Sequence, residues 1–459
     1  MKLIYGIQDK PKFSQRLVFA FQQLLAIMAA TLAVPAVINS NCGTDMSQAA
    51  ALFGAGVGTI VYLLFTRSKS PVFLGSSFAF IGSMIAAFSG AASMALGFLG
   101  LVLGAVLAGL VYVILAILAK TLGTDWLNKL MPPVVIGPTV AIIGLSLAGN
   151  AVGDFTNGAG GSVYVAMVCG LVTLFATILA AYYGKKMARL IPFIIGILAG
   201  YACACIFYII GESSGNPDLK VISFQPFVDC FSKLSLKSFL AVPEFTFWKA
   251  RGAFKEFTGG YFITILTAYV PVAFVVFAEH IADHKNLSSI VEKDLLKDPG
   301  LHRTLLGDGV GSMAGAFFGG CPNTTYGESI GCVAITGNAS IVSIWYAAVL
   351  CILAAFLSPF IAFLKSIPTC VMGGVCIALY GFIAISGLKM LQNVDLNENK
   401  NLFTASVILI TGVGGLSLTV GKVEIRTVAC ALILGIIVNK MLKEKKETKK
   451  IYHHKKKRR

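Results

Sequence analysis

The stretch GCPNTTYGESIGCVAITG at residues 320–337 is bordered by long apolar runs, yet Pro322, Asn323, Thr324, Thr325 and Glu328 break it where a lipid-facing helix would be uniformly apolar. A second interrupted stretch, PVFLGSSFAFIGSM, occupies residues 71–84. Irregular backbone at membrane depth survives only where protein or a water-filled cavity satisfies its N–H and C=O groups. Broken segments at matching places in two halves point to an inverted-repeat transporter with its site where they meet. Two unrelated re-entrant loops are the competing reading.

The rest of the chain supplies the membrane setting. Of 459 residues, 56% are hydrophobic and 13% charged, and mean hydropathy is +0.81. A soluble domain carries about 25% charged residues, so a soluble enzyme or an ordinary nucleic-acid binder is excluded. A span needs roughly 20 apolar residues, and the pattern predicts fourteen. The first follows Lys10, Lys12 and Arg16 and is too long for a signal-peptide core. The net charge of +16 is concentrated in alternate loops and in the tail KEKKETKKIYHHKKKRR. That asymmetry predicts both termini on the cytoplasmic side and an even number of spans.

The predicted organisation is a cytoplasmic N-terminus (1–16), a first repeat of seven segments (17–210), an extracytoplasmic loop (211–257), a second repeat of seven (258–442) and a basic cytoplasmic tail (443–459). The tail reads as a solvated charge run that can touch anionic lipid. The fold class is therefore an all-α polytopic membrane protein in a 7+7 inverted repeat. The 11 cysteines, among them Cys169, Cys203, Cys205, Cys351, Cys370 and Cys376 inside apolar runs, read as free, small hydrophobes. Gly54/Gly58, Gly100/Gly104 and Gly311/Gly315/Gly319 recur at four-residue spacing, which lets helices approach closely. GDGVG (307–311) follows a basic loop rather than a strand, so a dinucleotide loop is rejected.

Acidic residues within membrane segments are functional candidates by default. In FVVFAEHIADH, Glu279 and Asp283 stand four apart and share one helix face. A helix end reaching the interface is the alternative for this pair. Glu328 sits directly after Gly327 inside the interrupted stretch. Carboxylates sharing one cavity repel, which favours one of them holding a proton, as a proton-coupled carrier requires. His280 and His284 are also four apart, but without an HExxH order and a third ligand they are read as hydrogen-bonding residues, and no metal is assigned.

Taken together, LGSSFAFI (74–81), AEH (278–280), KDLLKDPGLHR (293–303), PNTTYGESIG with AIT (322–336) and VMGG with LYG (371–381) resemble the nucleobase-ascorbate transporter family, and within it the bacterial uracil carriers. The resemblance spans nearly the whole chain in order. It implies a core domain of segments 1–4 and 8–11, a gate domain of segments 5–7 and 12–14, and short strands in segments 3 and 10. It further implies proton-coupled uptake of uracil across the cytoplasmic membrane, no cofactor and a homodimer formed through the gate domain. Glu279 and Glu328 would accept the ring N–H groups, and the backbone N–H groups of Phe78 and Gly327 would face the carbonyl oxygens, with Tyr326 beside them. Glu279, Asp283 and His284 would serve proton coupling. Uracil offers two N–H donors and two carbonyl acceptors, so this set is complementary to it.

Three positions depart from the family pattern. Gln22-Gln23 stands where relatives can carry Gln-His, Asp283 where uracil carriers can carry His, and Ser329 where the signature has Asn. Glu328 favours uracil over the xanthine relatives, which commonly have Gln there. A xanthine, uric acid or other nucleobase permease is the nearest rival. A channel, an anion carrier and a membrane enzyme are further alternatives; acidic groups oppose an anion, and no nucleophile-base arrangement supports an enzyme.

Overall fold

In the computed structural model, the residues described are 3–123, 132–185, 187–232, 234–392, 394–420, 423–425 and 427–442; the basic tail (443–459) lies outside them. The described residues are mostly helical. The principal helices are α1 (Phe13–Cys42), α2 (Gln48–Phe65), α3 (Ile81–Ser89), α4 (Met94–Leu122), α5 (Pro133–Ser146), α6 (Ala148–Phe155), α7 (Val163–Tyr183), α8 (Pro192–Ser214), α9 (Gly259–Val291), α10 (Leu301–Gly319), α11 (Gly327–Thr336), α12 (Ile341–Ala354), α13 (Ser358–Ser366), α14 (Thr369–Lys389), α15 (Asn399–Val413) and α16 (Thr427–Met441). Among the described residues, 8 helical stretches are long and apolar enough to cross a membrane, and shorter apolar helices accompany them.

Side-chain caps set several starts: Ser47, Ser93 and Thr258 accept from Ala50, Leu96 and Tyr261 N–H at the heads of α2, α4 and α9. Both interrupted stretches fold as expected of them, each as a short strand followed by a short helix. β1 (Leu74–Ser76) runs into a 3-10 turn at Phe78–Phe80 and then α3; β2 (Asn323–Thr325) runs into α11. The strands pair antiparallel with Leu74 opposite Thr325, Gly75 opposite Thr324 and Ser76 opposite Asn323. A second antiparallel pair, β3 (Leu418–Val420) with β4 (Val423–Ile425), was not anticipated from sequence.

Three-residue strands in an apolar interior leave main-chain groups to be satisfied from outside the ladder. The Thr59 hydroxyl of α2 accepts the Leu74 N–H at 2.9 Å, and the Ser329 hydroxyl of α11 accepts the Phe73 N–H at 2.9 Å. Asn323 donates from Nδ2 to the Gly54 carbonyl at 3.0 Å, tying β2 to α2. The small-residue stripes do what their spacing predicts. A Cβ on Gly54 would stand 2.4 Å from the Gly315 carbonyl oxygen, and one on Gly58 2.7 Å from that of Gly311, so α2 and α10 cross backbone to backbone. Gly100 and Gly104 give way to the rings of Tyr261 and Tyr269 in the same manner.

The dominant packing falls into two groups. α1–α4 and α9–α12 pack on one another, as do α5–α8 and α14–α16. The segment 211–257 folds back over one end through short helical turns. Its Ala241 N–H donates to the Phe356 carbonyl, Ser358 N–H donates to Phe239, and Phe245 and Phe247 join a ring cluster with Phe53, Phe317 and Phe318. None of the 11 cysteines is joined in a disulfide.

Candidate functional site

α9 carries Glu279 and Asp283 one turn apart and continues to Val291. The two carboxylates therefore stand inside the helix, which runs eight residues beyond Asp283. Facing them, β2 hands the chain through Tyr326 to Gly327 and Glu328, the first residues of α11. Phe78 opens the 3-10 turn after β1. Glu279, Asp283, Tyr326, Gly327, Glu328 and Phe78 all line one cavity of about 600 Å³. Its opposite wall is apolar, formed by Val140 and Ile143 of α5, Phe193 of α8, and Leu379 and Phe382 of α14. Arg189 and Lys389 also line it.

Each predicted group is held differently. Asp283 Oδ2 accepts from the Thr325 hydroxyl at 2.7 Å, which joins α9 to β2. Glu279 and Glu328 are half-buried, so their oxygens remain available to the cavity. Tyr326 is buried: its hydroxyl donates to the Ser76 carbonyl at 2.7 Å and its N–H to the Phe73 carbonyl at 3.2 Å. The ring occupies the space Gly75 leaves free, where a Cβ would stand 2.4 Å from ring carbons. Phe78 and Gly327 are first residues of their turns, so neither N–H has an acceptor within its own helix. No Cβ contact crowds Gly327, and its backbone is open to the cavity. Together these groups present acceptors from carboxylates and donors from main chain to one space.

His284 is placed elsewhere. It is buried behind the cavity wall, with Nε2 2.7 Å from the Tyr62 hydroxyl and Nδ1 2.8 Å from the His280 carbonyl. His280 Nδ1 lies 2.8 Å from Asp308 Oδ2, with Thr304 on its other ring nitrogen. Asp308, 1% exposed, is the residue that sequence reasoning passed over. The signal was present: an acidic side chain in a membrane segment, hidden in the GDGVG run that drew attention to its glycines. Gln23 and Ser329, two of the positions that depart from the family pattern, meet: Gln23 Nε2 donates to Ser329 Oγ across α1 and α11.

Residues 14–421 match the model of a permease family. The uracil permease of Bacillus subtilis (strain 168) is 39% identical over 457 residues, covering 97% of each chain. That of Escherichia coli (strain K12) is 35% identical over 436 residues, 94% of this chain and 92% of the relative. Among solved structures, the transmembrane domain of a cyanobacterium bicarbonate transporter, BicA, superposes with a TM-score of 0.59 at 14% identity, covering 94% of this chain and 99% of that one, a likeness of fold alone. The match over nearly its whole length makes this multi-pass membrane protein a transporter rather than an enzyme, and the chain belongs to the permease family recognised in its sequence as that of the nucleobase-ascorbate transporters.

Proposed function

We propose that the chain takes up uracil across the cytoplasmic membrane in symport with protons. The observation that carries this reading is the convergence of Glu279, Asp283 and Glu328 with the open N–H groups of Phe78 and Gly327 on one cavity. Glu279 and Glu328 accept the two ring N–H groups, charge-assisted bonds that are roughly twice as strong as neutral ones. The main-chain N–H groups at the heads of the 3-10 turn and α11 meet the carbonyl oxygens, helped by the positive end of the helix dipole. Tyr326 closes the ring-binding edge. Relatives 35–39% identical carry the name uracil permease, which supports the same substrate here.

Proton coupling follows from the excess of negative charge. Three carboxylates exceed the two cations, Arg189 and Lys389, that line the same cavity; a neutral base does not compensate the remaining negative charge, so moving the loaded site through the membrane interior costs less when one carboxylate is protonated. We assign that proton to Glu279 and Asp283, with His284 holding the buried side of α9. The reading also includes fourteen spans in a 7+7 inverted repeat, of segments 1–7 (17–210) and 8–14 (258–442), and alternating access by movement of a core of segments 1–4 and 8–11 against a gate of 5–7 and 12–14. The matched strand-plus-helix units and the two packing groups support it. Both termini face the cytoplasm of a cell inner membrane, and the lipid-embedded unit is a homodimer through the gate.

Reconstitution into proteoliposomes tests the function directly. Saturable uracil uptake that rises with an inward proton gradient is expected; uptake indifferent to pH gradient removes the coupling, and stronger competition by xanthine or hypoxanthine than by unlabelled uracil removes the substrate. Uptake that survives Glu328→Ala unchanged removes the site.

A further inference from the structure

We propose that residues 3–9 form a positioning strap that sets the affinity of the ligand-binding half-helix α11 without touching ligand. The segment precedes α1 and runs alongside the chain just beyond α11. Tyr5 and Asn338 form a parallel bridge. The N–H groups of Ile4 and Tyr5 both donate to the Gly337 carbonyl, at 2.7 and 3.1 Å; in return Ala339 N–H donates to the Tyr5 carbonyl at 2.9 Å and Ile341 N–H to that of Ile7 at 3.0 Å. The Ser340 hydroxyl donates to the Asp9 carbonyl at 2.6 Å. Gly337 is the residue that ends α11, at φ +65°, so the strap grips the helix at its terminus.

The grip is anchored at its other side. Ile7 is 5% exposed and belongs to the continuous apolar core. The Tyr5 hydroxyl donates to Gln15 Oε1 on α1 at 2.9 Å, and its ring lies edge-on to Phe19. Gln8 Nε2 reaches the Ser68 carbonyl at 3.5 Å, and Trp345 Nε1 donates to the Ser68 hydroxyl at 3.1 Å. Ser68 lies in the turn that leads from α2 to β1. The strap therefore touches the end of α11 and, through Gln8, the turn that precedes β1.

Leverage makes this matter for binding. α11 has 10 residues, about 15 Å at 1.5 Å per residue, with Glu328 at one end and the strap at the other. A short helix held only at its binding end would tilt, and a tilt moves the Glu328 carboxylate relative to Glu279. Binding geometry held by supporting contacts loses affinity when those contacts are removed, even though no ligand contact is deleted. A terminal segment that only fills space would leave the dissociation constant unchanged.

The inference rests on the uracil reading, and the test separates the two. Full-length protein, a form lacking residues 2–9, and Ile7→Ala are purified in detergent. Uracil binding at equilibrium, uptake kinetics in proteoliposomes and amide hydrogen exchange are measured on each. The strap predicts assembled variants with a dissociation constant and KM raised about tenfold, maximal uptake within about twofold of the parent, and faster exchange confined to α11. Oxidising a Tyr5→Cys/Asn338→Cys pair in the Ile7→Ala background is expected to return the affinity to within about twofold of the parent, reversibly with reductant. Unchanged affinity and unchanged α11 exchange in both variants overturn the proposal, as does a truncated form that cannot assemble at all or a cross-link that restores nothing. A parent protein that fails to bind uracil refutes the substrate assignment, while the exchange of α11 still decides the strap.

Discussion

Gln23 on α1 donates to the hydroxyl of Ser329 on α11, and the same hydroxyl accepts the Phe73 N–H at 2.9 Å. One side chain thus joins the first helix, the second half-helix and the approach to β1. Removing it by Ser329→Ala leaves a buried amide unpaired, a cost of about 1–3 kcal/mol. The expected outcome is a lower thermal midpoint for the detergent-purified protein and a raised KM for uracil. Ser329→Thr, which keeps the hydroxyl, is expected to hold both near the parent values; identical melting of Ser329→Ala and the parent would count against the link.

Glu279 and Asp283 are one turn apart but differently engaged, since Thr325 donates to Asp283. Asp283→Asn keeps a partner for Thr325 and removes a titrating group. It is expected to bind uracil within a few-fold of the parent and to exchange uracil across the membrane, while losing accumulation driven by a pH gradient. Glu279→Gln is expected to lose binding itself, by on the order of tenfold or more, because a charge-assisted bond worth about 1.5–3 kcal/mol is replaced. Equilibrium binding set beside gradient-driven uptake separates the two.

The ring of Tyr326 rests where Gly75 has no side chain. Gly75→Val forces the ring or β1 to move, and overpacking of this kind costs about 1–3 kcal/mol. Reduced thermal stability together with uracil uptake lowered at least tenfold is expected. Gly331→Ala is the matched control, because nothing crowds a Cβ there, and it is expected to melt with the parent.

Asp308 and His280 form a contact wholly removed from solvent. Removing one partner leaves a buried hydrogen-bonding group unpaired, at a cost of about 1–3 kcal/mol. Asp308→Ala is therefore expected to lower the yield of assembled protein sharply, and Asp308→Asn, which retains a hydrogen-bonding partner for the ring, to recover most of it. Size-exclusion profiles of the two variants, compared at equal expression, test this.

The broken segments were legible because Pro, Asn, Thr and Ser in an apolar run admit few structures. Their strand pairing was not readable from the residues themselves, since three-residue strands carry no usable alternation; the family resemblance supplied the strands and not their register. The common face of Glu279 and Asp283 followed from helical spacing. The same spacing separates His284 from it: one residue further is about 100° around the helix, which turns the ring toward Tyr62 and away from the cavity. Asp308 escaped because its neighbours suggested a loop. The pairing of Gln23 with Ser329 joins residues 306 apart in sequence, and no local pattern encodes that distance.

The β1–β2 ladder sets a schedule for making the protein. Ser76 and Tyr326 are joined across 250 residues, and at synthesis rates of about 5–20 residues per second the partner of β1 emerges roughly 12–50 s later. Throughout that interval the nascent chain holds an incomplete membrane segment whose N–H and C=O groups cannot be left in hydrocarbon. The insertion machinery, or water it admits, must shelter residues 74–76 until residues 323–325 arrive, so the strand pair beside the cavity also makes the ribosome-bound chain most vulnerable to capture by quality control.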